Sequence, residues 1–185
     1  MDVYWKILKE ALPVLLFCSI GGLIAGIIVS DMSLYLSVLP GILILAPAVM
    51  SITDSVLGTF NSRITSAIHS GKIDINSFNN PILYENISGI LTITFCISIV
   101  LGIVAHYVSL FFIGTSMGLV KFIFVSLTTH LLSYVSMILI CLAIIFVSVK
   151  FKKDPDDIVS PSAPILSDMA SMFFLLLVVK LVTFL

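Results

Sequence analysis

The sequence predicts an all-α, polytopic membrane protein with five transmembrane helices. Its 185 residues are 59% hydrophobic and only 10% charged, and the mean hydropathy is +1.24. A soluble domain carries about 25% charged residues, so this chain has too little polar surface to cover a globule in water. The net charge of −1 gives no electrostatic reason to expect binding to nucleic acid. Membrane lipid is therefore the expected surrounding of most of the chain.

Apolar runs of about 20 residues, the length that crosses a bilayer, locate the helices. The run from 87 to 149 is too long for one span, so we expect a turn near 114–118. We predict helices at 12–30, 34–70, 87–112, 119–149 and 158–185, in one transmembrane domain covering 1–185. Gly22 and Gly26 in the first helix have the spacing that lets helices approach closely.

The basic residues predict the orientation of these helices. Five spans would leave seven of the nine basic residues on one side of the membrane and two on the other. Lys and Arg concentrate in cytosolic loops, so we expect a cytosolic N-terminus and an external C-terminus in the plasma membrane. The seven are Lys6, Lys9, Arg63, Lys72, Lys150, Lys152 and Lys153, and the two are Lys121 and Lys180.

Two carboxylates lie inside apolar spans, Asp54 in the second helix and Asp168 in the fifth. An acid at the centre of a membrane helix costs roughly 2.5–3.5 kcal/mol on insertion scales. Such residues usually face the interior of a helix bundle or a water-filled path. The alternative is a protonated acid that makes a hydrogen bond between helices.

Each acid belongs to a stripe of polar and small residues at three- and four-residue spacing, which places them on one helix face. The stripe of the second helix consists of Pro47, Ser51, Asp54, Ser55, Gly58, Asn61, Ser62 and Thr65. That of the fifth consists of Ser160, Pro164, Ser167, Asp168 and Ser171. Proline also removes helical hydrogen bonds and exposes carbonyl oxygens, which coordinate cations in transporters. The two stripes favour a hydrated path for a cation.

The ligand chemistry indicates a hard divalent cation. Carboxylates, carbonyls and hydroxyls suit such ions, and few acids per chain favour Mg²⁺, which keeps several of its waters. The three cysteines, Cys18, Cys96 and Cys141, lie apart in apolar runs and are expected to be packing residues. His130 lies on a polar face of the fourth helix and is either a ligand, a proton relay or a hydrogen-bonded interior residue.

Two segments carry a family resemblance. Ala46-Pro47, followed by the run Asn61 to Ala67 and ending at Gly71, resembles the second helix of MgtE-type magnesium channels and their eukaryotic solute-carrier relatives. Asp154-Pro155-Asp156, with Ser160-Pro161 and Leu166-Ser167-Asp168, resembles the start of that family's last helix. Five helices with an internal N-terminus also resemble its membrane domain.

The resemblance implies a homodimer with a pore between the protomers, lined by helices two and five. It implies that Asp168 of both subunits holds a hydrated Mg²⁺ and that backbone oxygens near Pro164 help to coordinate it. With the neighbouring hydroxyls of Ser160 and Ser167, these residues form the expected metal site. The expected pore-lining residues are Ser51, Asp54, Ser55, Gly58, Asn61 and Ser171. Two facing carboxylates repel one another, and either a cation or a proton relieves this repulsion, so mild acid is expected to compete with the metal.

The sequence also departs from the family pattern. The cytosolic regulatory domains of the family have no counterpart in these residues, so nothing here leads us to expect their Mg²⁺-sensing gate. Thr53-Asp54 stands where relatives often have Gly-Asn, which leaves open whether Asp54 faces the pore. The eukaryotic relatives carry two such units in one chain, and this chain has no internal repeat, so two copies are expected to associate.

Other functions fit less well. An intramembrane aspartyl protease needs Gly-x-Gly-Asp, but residues 51–54 read Ser-Ile-Thr-Asp and 165–168 read Ile-Leu-Ser-Asp. A lipid phosphotransferase needs a cluster of acids that is missing, so we do not expect an enzyme. A proton- or sodium-coupled carrier of divalent cations remains an alternative that would use the same residues. A non-catalytic assembly subunit is a further alternative, although it would not need two acid-bearing stripes.

Overall fold

A computed structural model of the chain describes residues 2–73, 80–151 and 154–184, except for the side chains of residues 2–11, 13–15, 156 and 157. This part of the chain contains five long α-helices and one short 3-10 helix, with no strand. The α-helices are α1 (Asp2–Met32), α2 (Ile42–His69), α3 (Pro81–Ile113), α4 (Leu119–Lys150) and α5 (Pro155–Phe184). All five are long and apolar enough to cross a membrane. The predicted all-α fold with five membrane helices is confirmed.

Helix α1 begins at Asp2, earlier than predicted, and α2 begins later than predicted. Residues Ser33–Tyr35 form the 3-10 helix, and α2 begins only at Ile42. Gly41 precedes it with φ of 85°, a left-handed conformation that favours glycine, and the Pro40 carbonyl accepts a hydrogen bond from the Met117 amide at 3.3 Å. An apolar sequence continues through this segment, so hydropathy alone could not reveal the turn.

The start of α3 lies earlier than predicted, because a polar first turn is compatible with helix when it is capped. Pro81 occupies the first turn, where the missing amide hydrogen costs nothing. The Asn80 side chain accepts a hydrogen bond from the Ile82 amide at 2.9 Å. Glu85 and Asn86, which the prediction left outside the helix, lie in its first turns.

Helix α5 is central to the packing because it contacts α1, α2 and α4. Helices α3 and α4 form an antiparallel hairpin, and α4 also contacts α2. The hairpin is closest at Gly102, where an added Cβ would lie 2.6 Å from the Cα of Ile123. Gly22 and Gly26, by contrast, have no atom near the position of a Cβ. Within the chain, the predicted close approach at these two glycines is therefore wrong.

The ends of the helices divide between two faces of the bundle. His69 at the end of α2 lies 3.3 Å from Asp154, just before α5. Lys180 near the end of α5 lies 3.8 Å from Asp31 near the end of α1. Hence α2 ends and α5 begins on one face, while α1 and α5 end on the other.

We call the first of these faces the basic end, because Arg63, Lys72 and Lys150 lie there. Lys121 and Lys180 lie toward the opposite end. This arrangement agrees with the predicted separation of the basic residues. Lys152 and Lys153 fall outside the described residues, as do the side chains of Lys6 and Lys9.

Candidate functional site

The two membrane carboxylates lie at the contact between α2 and α5. Asp54 lies near the middle of α2, and its Oδ1 accepts a hydrogen bond from the hydroxyl of Ser167 on α5. The same hydroxyl lies 3.1 Å from the Pro164 carbonyl, but it has a single proton to donate. Because Asp168 follows Ser167 directly, both acids lie at the same depth in the bundle. Two ionised carboxylates at the same depth would repel one another.

A cavity of about 370 Å³ opens between α2 and α5 beside this contact. It contains five of the ten predicted site residues, namely Asp54, Gly58, Asn61, Ser160 and Pro164. Leu57, Ser62 and Ala163 complete its lining. The two predicted polar stripes therefore do face each other across a shared space.

Pro164 frees one backbone carbonyl of a residue that lines this cavity. Proline has no amide hydrogen and so cannot donate to the carbonyl four residues earlier. Pro164 therefore leaves the carbonyl of Ser160 without its helical donor, and both residues are exposed and line the cavity. Carbonyl oxygens of this kind are suitable ligands for a hard cation.

Two buried side-chain oxygens near the cavity have no hydrogen-bond partner among the described residues. They are Oδ1 of Asp168 and Oδ1 of Asn61. A buried acceptor without a partner costs about 1–3 kcal/mol, and more when it is charged. A cation or its water shell would offset this cost. In the part of the chain that the structure describes, no three His, Cys, Asp or Glu side chains come together as a metal cluster.

The other predicted site residues have different surroundings. Ser51 and Ser55 are exposed, and Ser55 lines a separate cavity between α2 and α3. Ser167 is fully buried and acts as the hydrogen-bond donor to Asp54. Ser171 is also fully buried. The structure thus places Ser171 in the packed interior rather than on the exposed face that a path between two copies requires.

Tyr134 is a neighbour of the site that sequence reasoning did not identify. Its hydroxyl donates a hydrogen bond to the Ile52 carbonyl at 2.9 Å and thereby joins α4 to α2 two residues before Asp54. Tyr134 is fully buried. Tyr134 lies one helical turn after His130, so the polar face of α4 is the feature of the sequence that could have identified it.

His130 is an interior residue of α4. It is fully buried, and its Nδ1 lies 2.9 Å from the Ser126 carbonyl. A carbonyl can only accept, so Nδ1 carries a proton in this contact. Its ring stacks on Tyr134, with the ring centroids 6.1 Å apart. These contacts favour the hydrogen-bonded interior residue among the interpretations of His130 given above.

Comparison with known proteins identifies the family. No curated protein and no solved structure matches the chain. The family described as MgtE, divalent cation transporter, matches residues 46–178. This range contains most of α2 with Asp54, all of α3 and α4, and most of α5 with Asp168. The chain therefore belongs to the MgtE family of divalent cation transporters, as the motifs in its second and fifth helices indicated.

Proposed function

We propose that this protein transports Mg²⁺ across the plasma membrane through a path between two copies of the chain, lined by α2 and α5. The observation that carries the proposal is the position of Asp54 and Asp168 at the contact between α2 and α5, beside an open cavity that Asp54, Ser160 and Pro164 help to line. A charge buried in lipid without a function would be costly. A transported cation gives both carboxylates a role.

The ligand set supports a partly hydrated ion. The carboxylate, carbonyl and hydroxyl oxygens of these residues are the ligands that hard divalent cations prefer. Mg²⁺ holds its waters tightly and is commonly bound through one or two carboxylates. In this proposal Asp168 is the charged ligand, the carbonyls near Pro164 and Ser160 contact the hydration shell, and Ser167 fixes Asp54 in place.

The exposed side of the cavity supports the role of a second copy. Gly58, Ser62, Ser160 and Pro164 are all exposed in the single chain, although they lie within helices that otherwise cross an apolar environment. Polar groups facing lipid are unfavourable. Symmetric pairing of two chains over this face would remove these groups from lipid and place four carboxylates around one axis.

The proposed orientation places the basic end in the cytosol. Arg63, Lys72 and Lys150 lie at that end in the described residues, and an excess of basic residues is typical of the cytosolic side. Helix α1 then enters from the cytosol, and α5 ends outside.

Reconstitution in liposomes tests the proposal. Purified protein in vesicles that contain a Mg²⁺ indicator should admit Mg²⁺ down its gradient, without any proton or sodium gradient. Protein-free vesicles should admit almost none. Uptake that saturates and depends on a proton or sodium gradient would favour the coupled carrier instead. A folded protein that moves no divalent cation would contradict both.

A further inference from the structure

A second cavity system lies between α2 and α3, and Ser62 is common to its lining and to that of the α2–α5 cavity. It has two parts that share the side chains of Arg63 and Asn86. The upper part, of about 300 Å³, lies toward the middle of the bundle. The lower part, of about 590 Å³, lies at the basic end. We call the two parts together the α2–α3 groove.

The two parts differ in chemistry. The upper part is lined mainly by apolar side chains, including Val56, Phe60, Ile90 and Ile93. The lower part presents Lys72 and the hydroxyls of Ser62 and Ser66. Arg63 stands at the junction of the two parts. The groove is therefore apolar toward the membrane interior and cationic toward the membrane surface.

The cations of the groove are available to an external ligand. Arg63 and Lys72 are both exposed. Neither forms an ion pair with any described residue. Arg63 lies within two turns of the end of α2, which is the depth at which a long basic side chain extends to the headgroup region. Arginine matches the geometry of a phosphate group with two parallel hydrogen bonds.

We propose that the α2–α3 groove binds an anionic phospholipid, with its phosphate on Arg63 and Lys72 and the first part of an acyl chain in the apolar upper part. Basic pockets between membrane helices bind anionic headgroups in this way. A free phosphate ion would use only the lower part and would leave Phe60, Ile90 and Ile93 without a role. A phospholipid has a matching arrangement, because its anionic headgroup lies at the membrane surface and its apolar acyl chains extend toward the membrane interior.

Gly89 gives a way to test the apolar half by itself. It lines the upper part, and a Cβ added there would meet no atom within 4 Å. A large side chain at this position would occupy the space of the acyl chain without changing any charge. Gly89→Phe and Arg63→Ala therefore remove the two halves of the site separately.

Native mass spectrometry of the full, delipidated chain measures the binding. The wild type should retain phosphatidylglycerol in preference to phosphatidylcholine with the same acyl chains. Arg63→Ala should lower the retention of phosphatidylglycerol about fivefold, since a basic residue near the surface contributes on the order of 1 kcal/mol. Gly89→Phe should lower it as well. Lys121→Ala, at the opposite end, is the matched control and should change nothing.

The same experiment can overturn the proposal. Equal retention of the two lipids by the wild type, or unchanged retention of phosphatidylglycerol in either Arg63→Ala or Gly89→Phe, would contradict it. Inorganic phosphate that binds in an Arg63-dependent way, together with unselective lipid binding, would identify an anion site and would also contradict it. Arg63→Lys keeps the charge and serves in place of Arg63→Ala if that variant does not fold; it should retain more lipid than Gly89→Phe.

Discussion

The Ser167 hydroxyl donates its hydrogen bond to Asp54 and so connects α5 to α2 at the depth of both membrane carboxylates. The contact occupies one oxygen of Asp54. It leaves Oδ1 of the neighbouring Asp168 buried without a partner among the described residues. One acid is thus held by the protein, and the other is the better candidate for a direct ligand of the ion.

Removing this hydrogen bond should impair transport more than stability. Ser167→Ala is expected to lower Mg²⁺ flux in liposomes several-fold, because Asp54 loses its fixed position. The free energy of unfolding should fall by roughly 1–3 kcal/mol, since the Asp54 carboxylate loses a hydrogen-bond partner. Ser171→Ala is the matched control, since Ser171 is equally buried on the same helix but its hydroxyl has no partner among the described residues. Equal flux in the two variants would contradict a positioning role for Ser167.

Acid should inhibit transport. Protons and Mg²⁺ compete for the same closely spaced carboxylates, and both relieve the repulsion between them. Flux is therefore expected to be highest near about pH 8 and to fall progressively toward about pH 5. A higher Mg²⁺ concentration should restore part of the flux at low pH. Flux that stays constant over this range would count against carboxylate ligands.

The dimer can be examined by cross-linking. In a background without the native Cys18, Cys96 and Cys141, Gly58→Cys should form a disulfide-linked dimer in membranes on mild oxidation. This residue lies on the exposed side of the α2–α5 cavity. The same substitution at Phe111, an exposed residue of α3, should give monomer. The pairing of chains over α2 and α5 is contradicted if only the Phe111 variant cross-links.

The α3–α4 hairpin predicts a stability defect that is separate from transport. Gly102→Ala would bring a methyl group against the backbone of Ile123. Overpacking of this kind costs typically 1–3 kcal/mol. We expect a lower melting temperature in detergent, whereas Gly22→Ala, which meets no atom, should melt like the wild type. A Gly102→Ala protein as stable as the wild type would show that the helices can separate there at little cost.

The fold could be predicted well because each helix that crosses a lipid bilayer needs a long run of apolar residues. Long apolar runs gave the number of helices, and the energetic cost of a buried charge singled out Asp54 and Asp168. Helical spacing gave the polar face of each helix. It could not show that these two faces meet, because spacing describes one helix at a time; the contact of Ser167 with Asp54 is a property of the packing.

Local turns and close contacts were harder to predict. The turn before α2 lies in an apolar segment, so its position depends on Pro40 and Gly41 rather than on hydropathy. Glycine spacing pointed to Gly22 and Gly26, but the close approach occurs at Gly102, which has no glycine partner four residues away. Two glycines four residues apart do not indicate which helix, if any, packs against them.

The central claim is tested most directly by comparing Mg²⁺ uptake into liposomes that contain the wild type with uptake into liposomes that contain Asp168→Asn. Asparagine keeps the shape of the side chain and removes its charge, and Asp31→Asn, at the exposed ion pair with Lys180, is a control for the loss of one acid. The account predicts that the wild type and Asp31→Asn admit Mg²⁺, whereas Asp168→Asn is folded but admits almost none. Equal flux through Asp168→Asn and the wild type would show that the ion takes another path.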